Sequence, residues 1–204
     1  NIPQRPTRAF EDELLKKEID SAARSLAIGL SVIIDGEPGT GKTELARKIH
    51  DEAFDNSNLT MIDCRLLAAD NFESYLFGDD GMIGFFDPEP GANSKGKLPL
   101  ARGGAVLFRN AHTIDKAIQS RISDVMAFED ERRRNGITPV IAGWLFVGPK
   151  SWMDDPEFDI APAFSNSIDG KTVTAPPLSQ RSDFQKVASA IIADISQDHT
   201  LSPV

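Results

Sequence analysis

From Phe10 to Ala27 apolar residues recur at three- and four-residue steps, and Leu14, Leu15, Ile19, Ala22, Ala23 and Leu26 share one face. That spacing predicts an amphipathic helix, which Gly29 ends. The next segment, 31-SVIID-35, is a short continuous apolar run and predicts a buried strand, with 36-GEPGTG-41 as the loop after it. Thr43 to Phe54 returns to helical spacing, with Leu45, Ala46, Ile49 and Ala53 on one side. Strands are predicted at 59-LTMID-63, at 105-AVLF-108 and within 138-TPVIAGWLFVG-148. A long helix is predicted from Ala117 to Arg134, with Ile118, Ile122, Val125 and Met126 inward and Gly136 past its end. Ser182 to Ile195 reads as a last amphipathic helix begun by a Ser182 cap. Between these elements, residues 70–100 and 151–180 read as irregular, and residues 1–9, with two prolines, as a linker or docked arm ahead of a single unit over 10–204. Strands alternating with helices predict an α/β fold, a parallel sheet covered by helices on both faces.

Composition changes this picture little. The chain has 204 residues, 40 % hydrophobic and 26 % charged, which suits one soluble domain with a real core. A single cysteine, Cys64, excludes an internal disulfide framework and reads as a buried thiol. The net charge of −9 argues against direct nucleic-acid binding by this fragment, since a phosphate-binding surface needs clustered Lys and Arg. The basic cluster 131-ERRRNG-136 reads as a solvated helix end. No apolar run approaches a membrane span and the first residues do not resemble a secretory signal, so the expected location is cytoplasmic.

The chemistry concentrates at Gly36-x4-Gly41-Lys42-Thr43, a complete Walker A motif between a predicted strand and a predicted helix. Glycines let the backbone approach phosphates with positive φ, and successive N–H groups then converge at the positive end of the following helix. The Lys42 ammonium suits β- and γ-phosphates, and the Thr43 hydroxyl can reach magnesium. The nucleotide-binding residues expected are Gly36, Glu37, Pro38, Gly39, Thr40, Gly41, Lys42, Thr43 and Glu44.

Extended outward, 36-GEPGTGKTELARKIH-50 resembles the start of the AAA+ domain of bacterial enhancer-binding proteins, the activators of sigma-54 RNA polymerase. The resemblance continues through 73-ESYLFGDD-80, 96-GKLPLARGGAVLF-108, 118-IQSRISDVM-126 and 176-PPLSQRSDF-184. It implies a P-loop NTPase fold, the AAA+ large subdomain, with ATP or ADP as ligand. It also implies that a small helical lid and a DNA-binding domain would lie outside these 204 residues.

The departures from that family fall on its chemistry. Where the resemblance implies an acidic pair after the double glycine, one acid for magnesium and one for water, this chain has Arg109 and Asn110. Arginine cannot ligate a cation, and asparagine cannot take a proton. Loss of both is expected to add at least about 4 kcal/mol to the barrier for phosphoryl transfer. Counting from the family pattern puts Trp144 and Leu145 at the polar sensor position, and Ala161 and Ser167 at the two arginines that reach a neighbouring subunit. The loop that contacts the sigma factor should read G-A-F-T-G-A, and here the chain has 81-GMIGFFD-87. Phe85-Phe86 within it reads equally as a partner-binding tip or as a segment folded back on the domain.

These residues predict a regulatory domain that binds ATP or ADP without efficient hydrolysis, with magnesium compatible but not required. Arg109 is expected to add cationic charge in the metal's stead, although pairing with Asp35, Asp63 or Asp115 would equally satisfy it. Two alternatives stay open: a working ATPase whose acids have moved to Asp115 or Glu129, and an interaction scaffold without ligand. His50, His112 and His199 lack metal-ligand spacing and read as surface or helix-end residues. Self-association and a partner in the transcription machinery or its regulation are compatible with all of these.

Overall fold

The computed structural model describes residues 11–200 except 56, 69, 79–80, 82–85 and 87–95, with side chains described as far as residue 192. The expected arm at 1–9 and most of the segment 81–87, Phe85 included, therefore lie outside the described residues.

Helix α1 spans Glu13–Ala27 and starts later than its apolar spacing suggests, because the Asp12 carboxylate caps it by accepting the N–H groups of Leu14 and Leu15. Strand β1 (Val32–Asp35), helix α2 (Lys42–Ala53) and strand β2 (Leu59–Asp63) follow. Short helices α3 (Phe72–Phe77) and α4 (Lys97–Leu100) interrupt the segment expected to be irregular. Strand β3 (Ala105–Arg109) leads into α5 (Lys116–Arg134), capped by the Asp115 carboxylate on the Ile118 N–H. Strand β4 covers Gly143–Val147. Helix α6 (Pro162–Ile168) and strand β5 (Lys171–Thr174) fall in a stretch that the sequence pattern left as loop. The last helix, α7, is Phe184–Thr200. Ser182 is not its cap: the Ser182 hydroxyl and N–H both donate to Asp12, at 2.8 and 3.0 Å, and tie the start of α1 to the approach to α7.

All strand pairs are parallel, in the order β2-β3-β4-β1-β5. Side chains alternate between the two faces. Ile33, Val106, Phe108, Trp144 and Phe146 pack on one face with Ile118, Ile122 and Val125 of α5. Val32, Ile34, Ala105, Leu107, Leu145 and Val147 pack on the other with α1 and with Leu45, Ala46 and Ile49 of α2. The Phe108 and Phe146 rings stack at 5.1 Å in the first layer. Continuing the alternation puts Arg109 on the α2 face and Asp35 on the α5 face. Phe86 folds back onto the domain, its ring 4.1 Å from that of Phe128.

Candidate phosphate site at the strand ends

The loop joining β1 to α2 has the geometry its glycines imply. Gly36, Gly39 and Gly41 take φ of 143, 82 and 83°, and Gly41 is the left-handed residue directly before α2. At Gly36 a Cβ would stand 2.7 Å from the Ala175 carbonyl oxygen, so β5 closes against the loop only because that side chain is absent. Thr40 is buried and its hydroxyl donates to the Glu37 carbonyl at 2.9 Å, bracing the turn. Glu37, Pro38 and Gly39 are exposed, while Thr43 and Glu44 are half-buried in the first turn of α2.

Lys42 folds over this loop. Its ammonium donates to the carbonyls of Gly36 and Glu37, at 2.7 and 2.8 Å. Burial pulls its pKa down, and the nearby charges of Asp35 and Glu37 push it back up. An ammonium held by two carbonyls above a nest of backbone N–H groups is poised to exchange those acceptors for phosphate oxygens.

Arg109 ends β3, in register with Asp63 of β2 and Val147 of β4. Among the described residues its side chain makes no hydrogen bond or ion pair. The three carboxylates nearest in expectation are all engaged elsewhere. Asp35 accepts the Ser151 N–H at 2.8 Å, Asp63 binds Arg65 at 2.6 Å, and Asp115 caps α5. Asp63 is held well below the usual carboxylate range, chiefly by Arg65 and then by the side chain of Asn110. Asn110 sits in the left-handed region with φ 56° and donates from Nδ2 to Asp63 at 2.9 Å. Among the described residues no group of three or more His, Cys, Asp or Glu gathers as a metal site. A guanidinium at the strand end does not fit a divalent cation.

Leu145 pairs with Val32 and Trp144 with Val106, so the two residues at the counted sensor position are buried within β4. The chain at the loop end of β4 is Val147 to Ser151, where Gly148 N–H reaches the Ile34 carbonyl and Lys150 is exposed. Ser151 takes φ 55° and its N–H is the group held by Asp35. The acids considered as relocated do different work. Asp115 is a helix cap, and Glu129 is buried at the far end of α5, accepting the N–H groups of Val140 and Ile141 at 2.9 Å each. Ala161 precedes α6 and donates its N–H to the buried Gln119, while the Ser167 hydroxyl turns back to the Ala163 carbonyl. Lys171 is paired with Glu18 at 2.8 Å.

Two further expectations concern Cys64 and the histidines. Cys64 is buried and its thiol is pushed far up by burial. His50 is buried at the end of α2 between Asp51 and Ser57. His112 was not singled out by spacing, yet it sits one turn past Arg109, its ring edge-on to Phe158 at 4.9 Å.

Among the described residues no helix is long and apolar enough to cross a membrane. The family model for the sigma-54 interaction domain matches residues 9–138. The anaerobic nitric oxide reductase transcription regulator NorR of Klebsiella pneumoniae (strain 342) is 34% identical over 120 residues, 58% of this chain and 22% of that protein. NorR of Escherichia coli (strain K12 / DH10B) is also 34% identical over 120 residues, 58% of this chain and 23% of its own length. The match therefore spans less than a quarter of either relative. Among solved structures, NtrX from Brucella abortus in complex with ATP superposes with a TM-score of 0.66 at 19% identity, covering 97% of this chain and 46% of that one. The Thermotoga maritima RuvB Holliday junction branch migration motor gives a TM-score of 0.56 at 16% identity, over 93% of this chain and 55% of its own. Those structures share the P-loop NTPase fold seen here, a five-stranded parallel sheet with its phosphate loop between β1 and α2. Since the family pattern runs through more than half of its length, the chain belongs to the sigma-54 interaction domain family, the AAA+ domain of sigma-54 activators.

Proposed function

We propose that this domain is a nucleotide-binding regulatory module of a bacterial transcription regulator, holding ATP or ADP on the 36–43 loop without efficient hydrolysis. The observation that carries the reading is Arg109. It ends β3 on the α2 face, with no carboxylate partner among the described residues, at the same edge of the sheet as the loop after β1. The half-buried guanidinium keeps some access to water, and a phosphate would give it a charged partner. The guanidinium then supplies part of the charge that magnesium supplies in a metal-dependent site. Lys42 moves from its two carbonyls to the phosphates, and the loop N–H groups and α2 dipole complete the cradle. NtrX of Brucella abortus, with the same fold, was crystallised with ATP and with ADP, which is in keeping with this ligand class.

Turnover is a separate matter. The strand-end positions carry a guanidinium and an amide already bound to Asp63, so neither acts as a base toward water. Asp115 and Glu129 are committed to backbone N–H groups, which weighs against the relocated-acid alternative.

The test measures ATP and ADP affinity with magnesium and with a chelator, beside a phosphate-release assay. Affinity that holds within a few-fold when magnesium is removed, with no release above a Lys42→Ala control, is the expected result. A sharp fall on chelation, or phosphate release that Lys42→Ala abolishes, overturns the reading. A ligand-free scaffold gives no melting shift, whereas a bound ligand at a hundred times its Kd stabilises by about 2.7 kcal/mol.

A further inference from the structure

We propose that the cleft where β1, β4 and β5 begin binds a free apolar α-amino acid, with the carboxylate on Arg134, the ammonium on Asp169 and the side chain over Ile28 and Leu30. The strands are parallel and the 36–43 loop follows β1, so this cleft lies at the opposite edge of the sheet. The inference therefore stands apart from the nucleotide-binding reading above.

Four segments bound a cleft of about 270 Å³: the α1–β1 turn, the last turns of α5, the start of β4 and the link from α6 to β5. That volume falls just under the range of roughly 300–1,000 Å³ usual for small-ligand sites, and suits a ligand smaller than a nucleotide. Trp144 and Met126, both buried, give it an apolar floor. Ser31 lines it as well and is only 4 % exposed, and its hydroxyl bonds to no described residue. Gly29 shapes one wall. It takes φ 90°, and a Cβ there would stand 2.3 Å from Cζ of Arg133, so the guanidinium lies against the turn only because that side chain is absent. Asp130 anchors Arg133 a second time, its carboxylate accepting from Nη1 at 3.0 Å.

With Arg133 and Asp130 paired, two charges of opposite sign remain. Arg134 and Asp169 both line the cleft and are exposed. Among the described residues the side chain of neither makes an ion pair or hydrogen bond, so they do not pair with each other. A ligand that carries one carboxylate and one ammonium satisfies both. A simple anion would meet Asp169 as a like charge, and a simple cation would meet Arg134. The Ser31 hydroxyl can serve either end, donating to a carboxylate or accepting from an ammonium. The rim selects the rest of the molecule. Ile28 and Leu30 line the cleft while 70 % and 47 % exposed, and an apolar side chain on the ligand would cover them.

The experiment titrates L-leucine, L-phenylalanine and glycine into the chain by calorimetry, beside L-leucinamide and N-acetyl-L-leucine, which each lack one of the two charges. L-leucine or L-phenylalanine is expected to bind with a Kd below about 1 mM, and glycine at least about tenfold more weakly. The amide and the acetyl compound should each lose about tenfold or more against L-leucine, the worth of one charge-assisted bond. Arg134→Ala and Asp169→Asn change exposed side chains and should each weaken L-leucine by about tenfold, while an unchanged melting temperature without ligand shows that the variants are folded. No heat and no melting shift with either apolar amino acid at about 10 mM, ten times that Kd, overturns the proposal. Binding that the amide and the acetyl compound match, or that survives both substitutions, overturns it equally, since the ligand is then not held by these two charges.

Discussion

Asn110 donates its side-chain amide to the Asp63 carboxylate at 2.9 Å, joining the ends of β3 and β2, while its own backbone lies in the left-handed region at φ 56°. The residue thus does two jobs that different substitutions separate. Glycine adopts that backbone freely but loses the bond, at roughly 1 kcal/mol. Alanine loses the bond and strains the backbone as well, for roughly 2 kcal/mol in all. Glutamate brings a second carboxylate against Asp63 and should also destabilise. Urea denaturation is expected to rank the wild type above Asn110→Gly and Asn110→Gly above Asn110→Ala. If alanine equals glycine, the strained backbone contributes nothing.

What the sequence made legible and what it hid follow from range. The loop from Gly36 to Thr43 is a local motif, and its glycines have the positive φ that the motif requires. Strands β1, β2 and β3 and helix α2 lie where their apolar spacing puts them, because each buries a face against the sheet or its cover. Helix α6 has seven residues and β5 has four, with two of those four exposed, too short for periodicity to register. The stretch 138–148 is apolar almost throughout, so nothing local says which five residues pair. The bonds Asn110–Asp63, Asp35–Ser151 and Asp12–Ser182 join residues 47 or more apart in the chain and leave no sequence signature.

Glu129 offers a test of stability alone. It is buried and holds the Val140 and Ile141 N–H groups at the entry to β4. Glu129→Ala strands both donors and leaves a void, and should cost about 3 kcal/mol or more. Burial raises the Glu129 pKa against the lowering effect of those two bonds and of Arg132. With the folded value above the ordinary 4.5, its contribution is complete below that pH and is lost as pH rises through the folded value. The stability of the wild type relative to Glu129→Gln should accordingly improve as pH is lowered toward 4.5. A difference that does not vary with pH would mean the carboxylate is solvated.

Asp12 behaves in the opposite sense. It accepts four N–H or O–H groups, two from its own helix start and two from Ser182, and its pKa falls to about 2, most of all through the Ser182 N–H. The clasp is therefore fully formed above the ordinary carboxylate pKa and loosens as pH falls toward 2. The amide resonances of Ser182 and Leu15 should titrate together with a midpoint near 2, and Asp12→Ala should abolish the titration. A midpoint near 3.8 would show that α1 and the start of α7 are not joined in solution.

Arg109→Asp asks whether charge at the strand end decides how the site treats metal. The wild-type guanidinium supplies a positive charge at the end of β3, on the α2 face of the sheet. Reversing its sign removes one attraction for phosphate and adds one repulsion, while restoring a carboxylate at the end of β3. In the presence of a chelator the variant should lose at least tenfold in ATP affinity, about 1.4 kcal/mol, a modest figure because the site is open to water and salt. Adding magnesium should recover much of that loss, since the cation can then bridge the new carboxylate and the phosphates. The wild type should respond to magnesium hardly at all. Turnover is not expected to return, because Asn110 still occupies the second position with its amide bound to Asp63. Equal magnesium dependence in the two proteins would show that Arg109 does not substitute for the metal. It would also return the guanidinium to the status of a half-buried strand-end cation without a ligand.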